Sequence, residues 1–292
     1  MLRLTMLGGL ALEGDQGPLA RAAVRPRSLA LLALIAAAGS HGMSRDKVMC
    51  YLWPESDTGH ARNCLKQSLF ALRHDLQPDC FLPGVSVLRL APCAVGVDCW
   101  EFEHALDRRA LRVAVDLYGG PFLDGFYLEG GVGFEYWVEA ERARLAHRYE
   151  AALAALVGHA ESAGDRVGAI QWWQRLTEHD PFSSRIALGL MEALVEVGDR
   201  AGALRYAQRH ERLLRQELDA FPDTDEQLFI QQLRNHAMRG SARCAVQPPA
   251  RRPPLTSPPS PTLRVTSDST LPSLPNLPAP PSATRTATSD PP

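Results

Sequence analysis

A chain of 292 residues with 45% hydrophobic and 22% charged content has the composition of an ordinary globular protein, with room for one to three domains and a sizeable core. Its formal net charge of −2 conceals an asymmetry, because residues 1–90 carry 10 Lys/Arg against 7 Asp/Glu while residues 101–240 carry 16 against 23. The first segment therefore suits an anionic partner better than the second. Six cysteines, at 50, 64, 80, 93, 99 and 244, show no C-x-x-C pair and no Cys/His run at zinc spacing. That argues against a structural metal and for reduced thiols in a cytoplasmic protein.

"LRLTMLGGLALEG" (2–14) reads as two short strands around the Gly8-Gly9 turn. "RPRSLALLALIAAAGS" (25–40) mimics a secretory signal, with a basic flank and an apolar run. That run is too short to span a membrane and follows a strand-like segment, so a buried helix from about Arg27 to Ala38, ended by Gly39, is the better reading. Ser44 is placed to cap a second helix, "RDKVMCYLW", which stops at Pro54. A third helix is expected over residues 58–76, starting near Ser56 or Thr58, and "CFLPGVSVLRL" with Pro83-Gly84 at its turn reads as a β-hairpin. Three helices followed by a hairpin is the order of a winged helix-turn-helix.

At about 100° per residue, Ala61, Leu65, Leu69, Leu72 and Leu76 make one core stripe on that third helix. Arg62, Lys66 and Arg73 then fall together on one flank, and Asn63, Gln67 and His74 continue around the exposed side. Arg and Lys reach phosphates and guanine edges, and Asn and Gln pair with adenine, so the pattern suits duplex DNA; a solvated helix face would carry the same charges. Phe70 sits within the polar arc. It is expected to pack beneath the hairpin, and that expectation favours the DNA-binding reading.

Beyond residue 100 the pattern is almost wholly helical: "WEFEHALDRRALRVAVDLY", a Gly/Pro-rich "GGPFLDGFYLEGG", and a long amphipathic run from Phe134 to Ala163. "AGDRVGAIQWW" (163–173) then recurs as "VGDRAGALRYA" (197–207), with Gly164 answering Gly198 and Asp165 answering Asp199 at a period of 34 residues. Such a period belongs to stacked helix pairs, in which Asp165 and Asp199 cap helices and the small Ala169 and Ala203 let neighbours approach. From Ser241 onward the chain holds 14 of its 23 prolines, and a disordered, partly polyproline-II tail is expected.

No phosphate-binding G-x-x-x-x-G-K-[ST] loop, no G-x-G-x-x-G after a strand, no H-E-x-x-H and no G-x-S-x-G occurs, so no enzyme, cofactor or metal site is expected. Trp172-Trp173 reads as inter-helix packing. Glu135, Glu139 and Glu141 with Arg142 and Arg144 read as a solvated, charge-paired helix face.

Taken together, "LRLTMLGGLALEG", "LALLALIAAAGSHGMSRDKVMCYLWPE" and "ARNCLKQSLFALRHDL", followed by "DCWEFEHAL", "YGGPFLDGF", "FEYWVEAERARL" and "GDRAGALRYAQRHERLLRQELDAFPD", closely resemble the bacterial transcriptional activators of the SARP class. Those join an OmpR-type winged helix to a bacterial transcriptional activator domain of tetratricopeptide-like helices, and the resemblance spans residues 2 to about 236. It implies a mainly α protein: a winged helix-turn-helix DNA-binding domain with short β-strands at 1–98, an all-α repeat domain at 99–238 and a disordered Pro/Ser/Thr-rich tail at 239–292. It further implies a sequence-specific activator that binds promoter repeats and recruits RNA polymerase, with double-stranded promoter DNA, the polymerase and a homo-oligomer on DNA as partners and no membrane. The DNA contacts it implies are Arg62, Asn63, Lys66, Gln67 and Arg73 on the helix over 58–76, and Arg89 on the hairpin. The hairpin here is short and poorly alternating, and no nucleotide-binding ATPase module or phosphoacceptor domain is seen. The alternative reading is a repeat-built adaptor whose winged helix serves only protein contacts.

Overall fold

In a computed structural model the described residues are 2–14, 17–18, 25–76 and 80–244, with the backbone alone described at 17, 18 and 236–244. The amino-terminal sheet has the order β3-β2-β1-β6, made of β1 (Leu2–Thr5), β2 (Ala11–Gly14), β3 (Gly17–Pro18) and β6 (Val95–Val97). β1 pairs antiparallel with β2, setting Leu4 opposite Leu12, and parallel with β6, setting Leu4 opposite Val97. Leu2 and Leu4 point into the core while Arg3 points out, the period of two that fixes a strand's register. The reading of two strands around Gly8-Gly9 holds, and the parallel strand from "VGV" joins them from a distance.

Helix α1 (Pro26–Ala37) is buried from Ser28 to Ala36 on every side. This explains why its sequence imitates a signal peptide: a helix that is apolar all round belongs inside a protein. Pro26 at its first turn pre-sets φ, and its last turn is held by Trp100, whose Nε1 donates to the carbonyl of Ala36 at 2.7 Å. β4 (Met43–Ser44) leads into α2 (Arg45–Leu52), where Ser44 Oγ accepts from the backbone of Lys47. Helix α3 (Thr58–Asp75) follows, starting at Thr58 as expected, with Asp57 as its capping residue. Ala61, Leu65, Leu69, Leu72 and Leu76 are all buried, as the stripe requires.

The hairpin after α3 is split. Its outer arm, β5 (Val87–Leu88), pairs with β4, while Phe81 and Leu90 meet as a single bridge at the base. Leu82 N donates to Arg89 O at 3.0 Å and Ala91 N to Cys80 O at 2.8 Å, so the two arms do run together as a wing.

The remaining elements are helices: α4 (Asp98–Asp107), α5 (Leu111–Leu117), α6 (Val132–Ser162), α7 (Arg166–His179), α8 (Ser184–Glu196), α9 (Arg200–Leu218) and α10 (Thr224–Cys244). The first long helical stretch breaks at Arg109, which adopts φ 56°. The repeated Gly-Asp-Arg-x-Gly-Ala turns out to be two caps in one. Gly164 at φ 71° ends α6, with Asp165 N donating back to Ala160 O and Gly164 N to Glu161 O. The same pattern links Asp199 N to Leu194 O and Gly198 N to Val195 O, which is the Schellman closure. Asp165 and Asp199 then cap the next helix by accepting from Gly168 N at 2.9 Å and Gly202 N at 2.7 Å. A Cβ at Gly168 or Gly202 would collide with that carboxylate, which is why glycine stands at both places. Ala169 and Ala203 are buried as expected. Ala203→Trp should overpack α9 against its neighbours and cost about 1–3 kcal/mol; thermal melting measures it, and an unaltered midpoint would contradict the stacking.

The sheet and the helical half interlock. Gly8 N donates to Pro121 O at 3.0 Å and Leu123 N to Met6 O at 2.8 Å, and a Cβ at Gly8 would lie 2.8 Å from the carbonyl oxygen of Gly119. Asp98, at the boundary expected between 98 and 99, is buried; its Oδ2 accepts from Met6 N at 2.7 Å and Leu7 N at 2.8 Å, and its Oδ1 from Cys99 N at 2.7 Å. One core runs from Leu2 to Ile186, and a smaller one, around Met191, Ala203, Ala207, Ile230 and Leu233, holds the last helices. Residues 239–244 continue α10, and the remainder of the expected tail lies outside the described residues. Among the described residues no helix is long and apolar enough to cross a membrane.

Candidate nucleic-acid interface

Everything in this region hangs on α3. The carboxylate of Asp57 accepts from His60 N at 2.9 Å, and that hydrogen bond holds its pKa below the usual carboxylate value. The buried leucine stripe fixes the helix's rotation, and the cationic flank follows from it. Arg62, Asn63, Lys66, Gln67 and Arg73 are all exposed, and Arg62 and Lys66 form no ion pair among the described residues.

The structure gives these residues different neighbours. The Arg73 guanidinium lies 5.7 Å from the centre of the Phe81 ring at the wing's base. Arg73 is thus partly committed to holding the wing, an attraction of about 0.5–1 kcal/mol at an exposed site. Gln67 lies in a cleft of about 950 Å³ whose walls include Arg25, Arg27, Ser68 and the loop at Tyr127–Gly130, and it shares a second groove with Lys66. Sequence reasoning did not single out Arg25 and Arg27. Their signal was present in "RPR" ahead of the apolar helix, where they read only as the basic flank of a signal peptide.

Phe70 corrects an expectation. It is 74% exposed and does not pack beneath the hairpin; it borders a shallow groove with Arg25, Lys66 and His74. Its place in the polar arc therefore lends no support of its own to DNA binding.

The wing is anchored at both ends. Arg45, the first residue of α2, donates its Nε to Val85 O at 2.8 Å and its backbone N to Ser86 O at 3.0 Å. Gly42, at φ 67°, lies so close to Val87, Leu88 and Arg89 that a Cβ there would meet the Leu88 carbonyl oxygen at 2.5 Å. Arg89 is exposed on this hairpin and, among the described residues, makes no ion pair. Sequence reasoning did not find Arg45, whose role depends on a strand pairing between residues 43–44 and 87–88.

The acidic cluster on α6 is likewise more than a solvated face. Arg142 donates to the carbonyls of Phe122 at 2.7 Å and Leu123 at 2.8 Å, Glu135 accepts from Leu128 N at 2.9 Å, and Arg144 bridges Glu141 to Glu103 of α4. These bonds fasten the loop over residues 119–131, and a helix to a helix. The Trp173 ring packs against Gly189 of α8, as expected for inter-helix packing. Burial, first, and the neighbouring Asp98, second, push the Cys99 thiol well above its ordinary pKa, so it stays protonated.

Residues 100–234 match the family described as the bacterial transcriptional activator domain. A solved structure described as Mycobacterium tuberculosis EmbR in complex with a low affinity phosphopeptide superposes at a TM-score of 0.55 with 19% identity, covering 84% of this chain and 69% of that one. At that identity the likeness is one of fold. No curated protein matches the sequence.

Proposed function

We propose that the chain is a transcriptional activator of the SARP class that binds promoter DNA in a sequence-specific manner and recruits RNA polymerase, a reading supported by the match of residues 100–234 to the bacterial transcriptional activator domain. In this reading residues 1–98 are the DNA-binding part and residues 99–238 the activating part. Helix α3 enters the major groove, with Arg62, Lys66 and Arg73 on phosphates or guanine edges and Asn63 and Gln67 reading adenine. Arg89 brings the wing to a neighbouring phosphate or the minor groove, and copies of the chain occupy successive promoter repeats.

The observation that carries the reading is the pair of cations, Arg62 and Lys66, exposed and without an ion pair among the described residues, on a helix whose other side is locked into the core. Several arginines of the helical half hold carboxylates, among them Arg142, Arg144, Arg148, Arg175, Arg185 and Arg215. Cations left open here gain most from a polyanion, which releases counterions as they bind. Arg62→Ala/Lys66→Ala is expected to weaken duplex binding and reduce the slope of log K against log salt by roughly 2, since each neutralised phosphate contributes about 0.9. An unchanged slope would favour the adaptor reading, in which this flank is only solvated. Selection from a random duplex library would supply the operator, with an enriched motif repeated at about one helical turn.

A further inference from the structure

Phe70 is the most exposed phenylalanine among the described residues, at 74%. Among those residues its ring stacks on no other aromatic ring and carries no cation. Counting about 100° per residue around α3, Phe70 lies about 140° from the centre of the buried leucine stripe, between Lys66 and Asn63. Arg62, Lys66 and Phe70 follow one another at spacings of four residues, and so form one row along the exposed side. Arg25, Lys66, Gln67 and His74 border the groove beside the ring. Asp75 borders it too and keeps its charge, 3.3 Å from His74 Nδ1, so an excess of positive charge is not what marks this place. What marks it is an apolar ring set among hydrogen-bonding side chains.

A single exposed apolar residue is ordinary on a protein surface and by itself says nothing about function. On a helix that lies in the major groove it meets base edges, and there the choice of partner is narrow. Guanine, cytosine and adenine present only donors and acceptors in that groove, whereas thymine adds a 5-methyl group. A phenyl ring laid on a donor or acceptor strips its water and returns no hydrogen bond, which costs free energy. Laid on a methyl group, the same ring buries apolar surface on both partners.

We propose that Phe70 packs on the 5-methyl group of a thymine and so sets the base preferred at one position of the operator. The inference rests on the proposed entry of α3 into the major groove. To the polar contacts of Arg62, Asn63, Lys66 and Gln67 it adds an apolar one, which discriminates thymine from the three bases that offer no methyl group there.

The test uses the full-length chain, the duplex that the wild type enriches from a random library, and versions of that duplex in which one thymine at a time is replaced by deoxyuridine. The replacement keeps the base pair and the acceptor oxygen in the groove and removes only the methyl group. At one position it is expected to weaken wild-type binding about fourfold, the gain from burying one methyl-sized group. Phe70→Ala should bind the thymine and deoxyuridine duplexes equally, and should melt with the wild type because the ring is open to solvent. Its binding should keep the wild-type salt dependence, since no phosphate contact is lost, whereas Arg62→Ala/Lys66→Ala lowers that dependence. A wild type that enriches no motif overturns the DNA-binding reading and this inference with it. An enriched motif in which no thymine responds to the replacement, or a response that persists in Phe70→Ala, overturns the role of Phe70 alone.

Discussion

Asp98→Ala is expected to remove about 3–9 kcal/mol of folding stability, because each of three orphaned donors carries roughly 1–3 kcal/mol of unmet desolvation. The carboxylate is buried and accepts from Met6 N, Leu7 N and Cys99 N. No other side chain can reach those three amides at once, since they belong to the end of β1 and the start of α4. Against a typical total of about 5–15 kcal/mol, the loss should appear as a large fall in the denaturant midpoint at constant slope. Asp98→Asn would keep the shape but set an amide N–H against a donor, and should fall between the two. A change under about 1 kcal/mol for the alanine variant would mean that the strand end and the helix start are not held by this residue.

Glu226→Ala comes second, with an expected cost of about 3–5 kcal/mol from breaking a buried pair and leaving its partner behind. Glu226 and His210 are 0% and 2% exposed, and their contact joins α10 to α9 in a part of the protein whose apolar core is small. Replacing both residues by leucine removes the polar groups together and should cost far less than the two single changes added, because nothing polar is then stranded. The thermodynamic cycle of the two single variants and the double variant, measured by thermal or chemical unfolding, decides it. Additive losses would show that the two side chains act independently.

Much of this was legible in the sequence because the signals were local. The leucine stripe of α3 is a property of one helix, and the 34-residue period states the double cap of Gly164-Asp165 and Gly198-Asp199 almost literally. Ser44 as a cap and the buried apolar α1 follow from a few neighbouring residues. What could not be read depends on long-range geometry. β6 joins the sheet only because residues 95–97 return beside residues 2–4. Arg45 becomes a wing anchor only through the pairing of β4 with β5. Arg25 and Gln67 lie some 40 positions apart in sequence and share a cleft because α1 and α3 pack together. Phe70 failed for the opposite reason: an aromatic residue in a polar arc invites a partner, and local pattern alone cannot say whether the fold provides one. The acidic cluster on α6 was read as a surface because its partners, the carbonyls of Phe122 and Leu123 and the carboxylate of Glu103, come from elsewhere in the chain.

The seam between the sheet and the loop over residues 119–123 is made of main chain meeting main chain, with glycines where any side chain would intrude and Arg142 gripping the far side. A joint of that kind has no swivel, so the direction in which α3 points dictates the direction in which the repeat helices point. Under the proposed reading, in which α3 binds a duplex, sliding the operator by half a helical turn would keep α3 engaged and carry the repeat helices to the opposite side of the DNA.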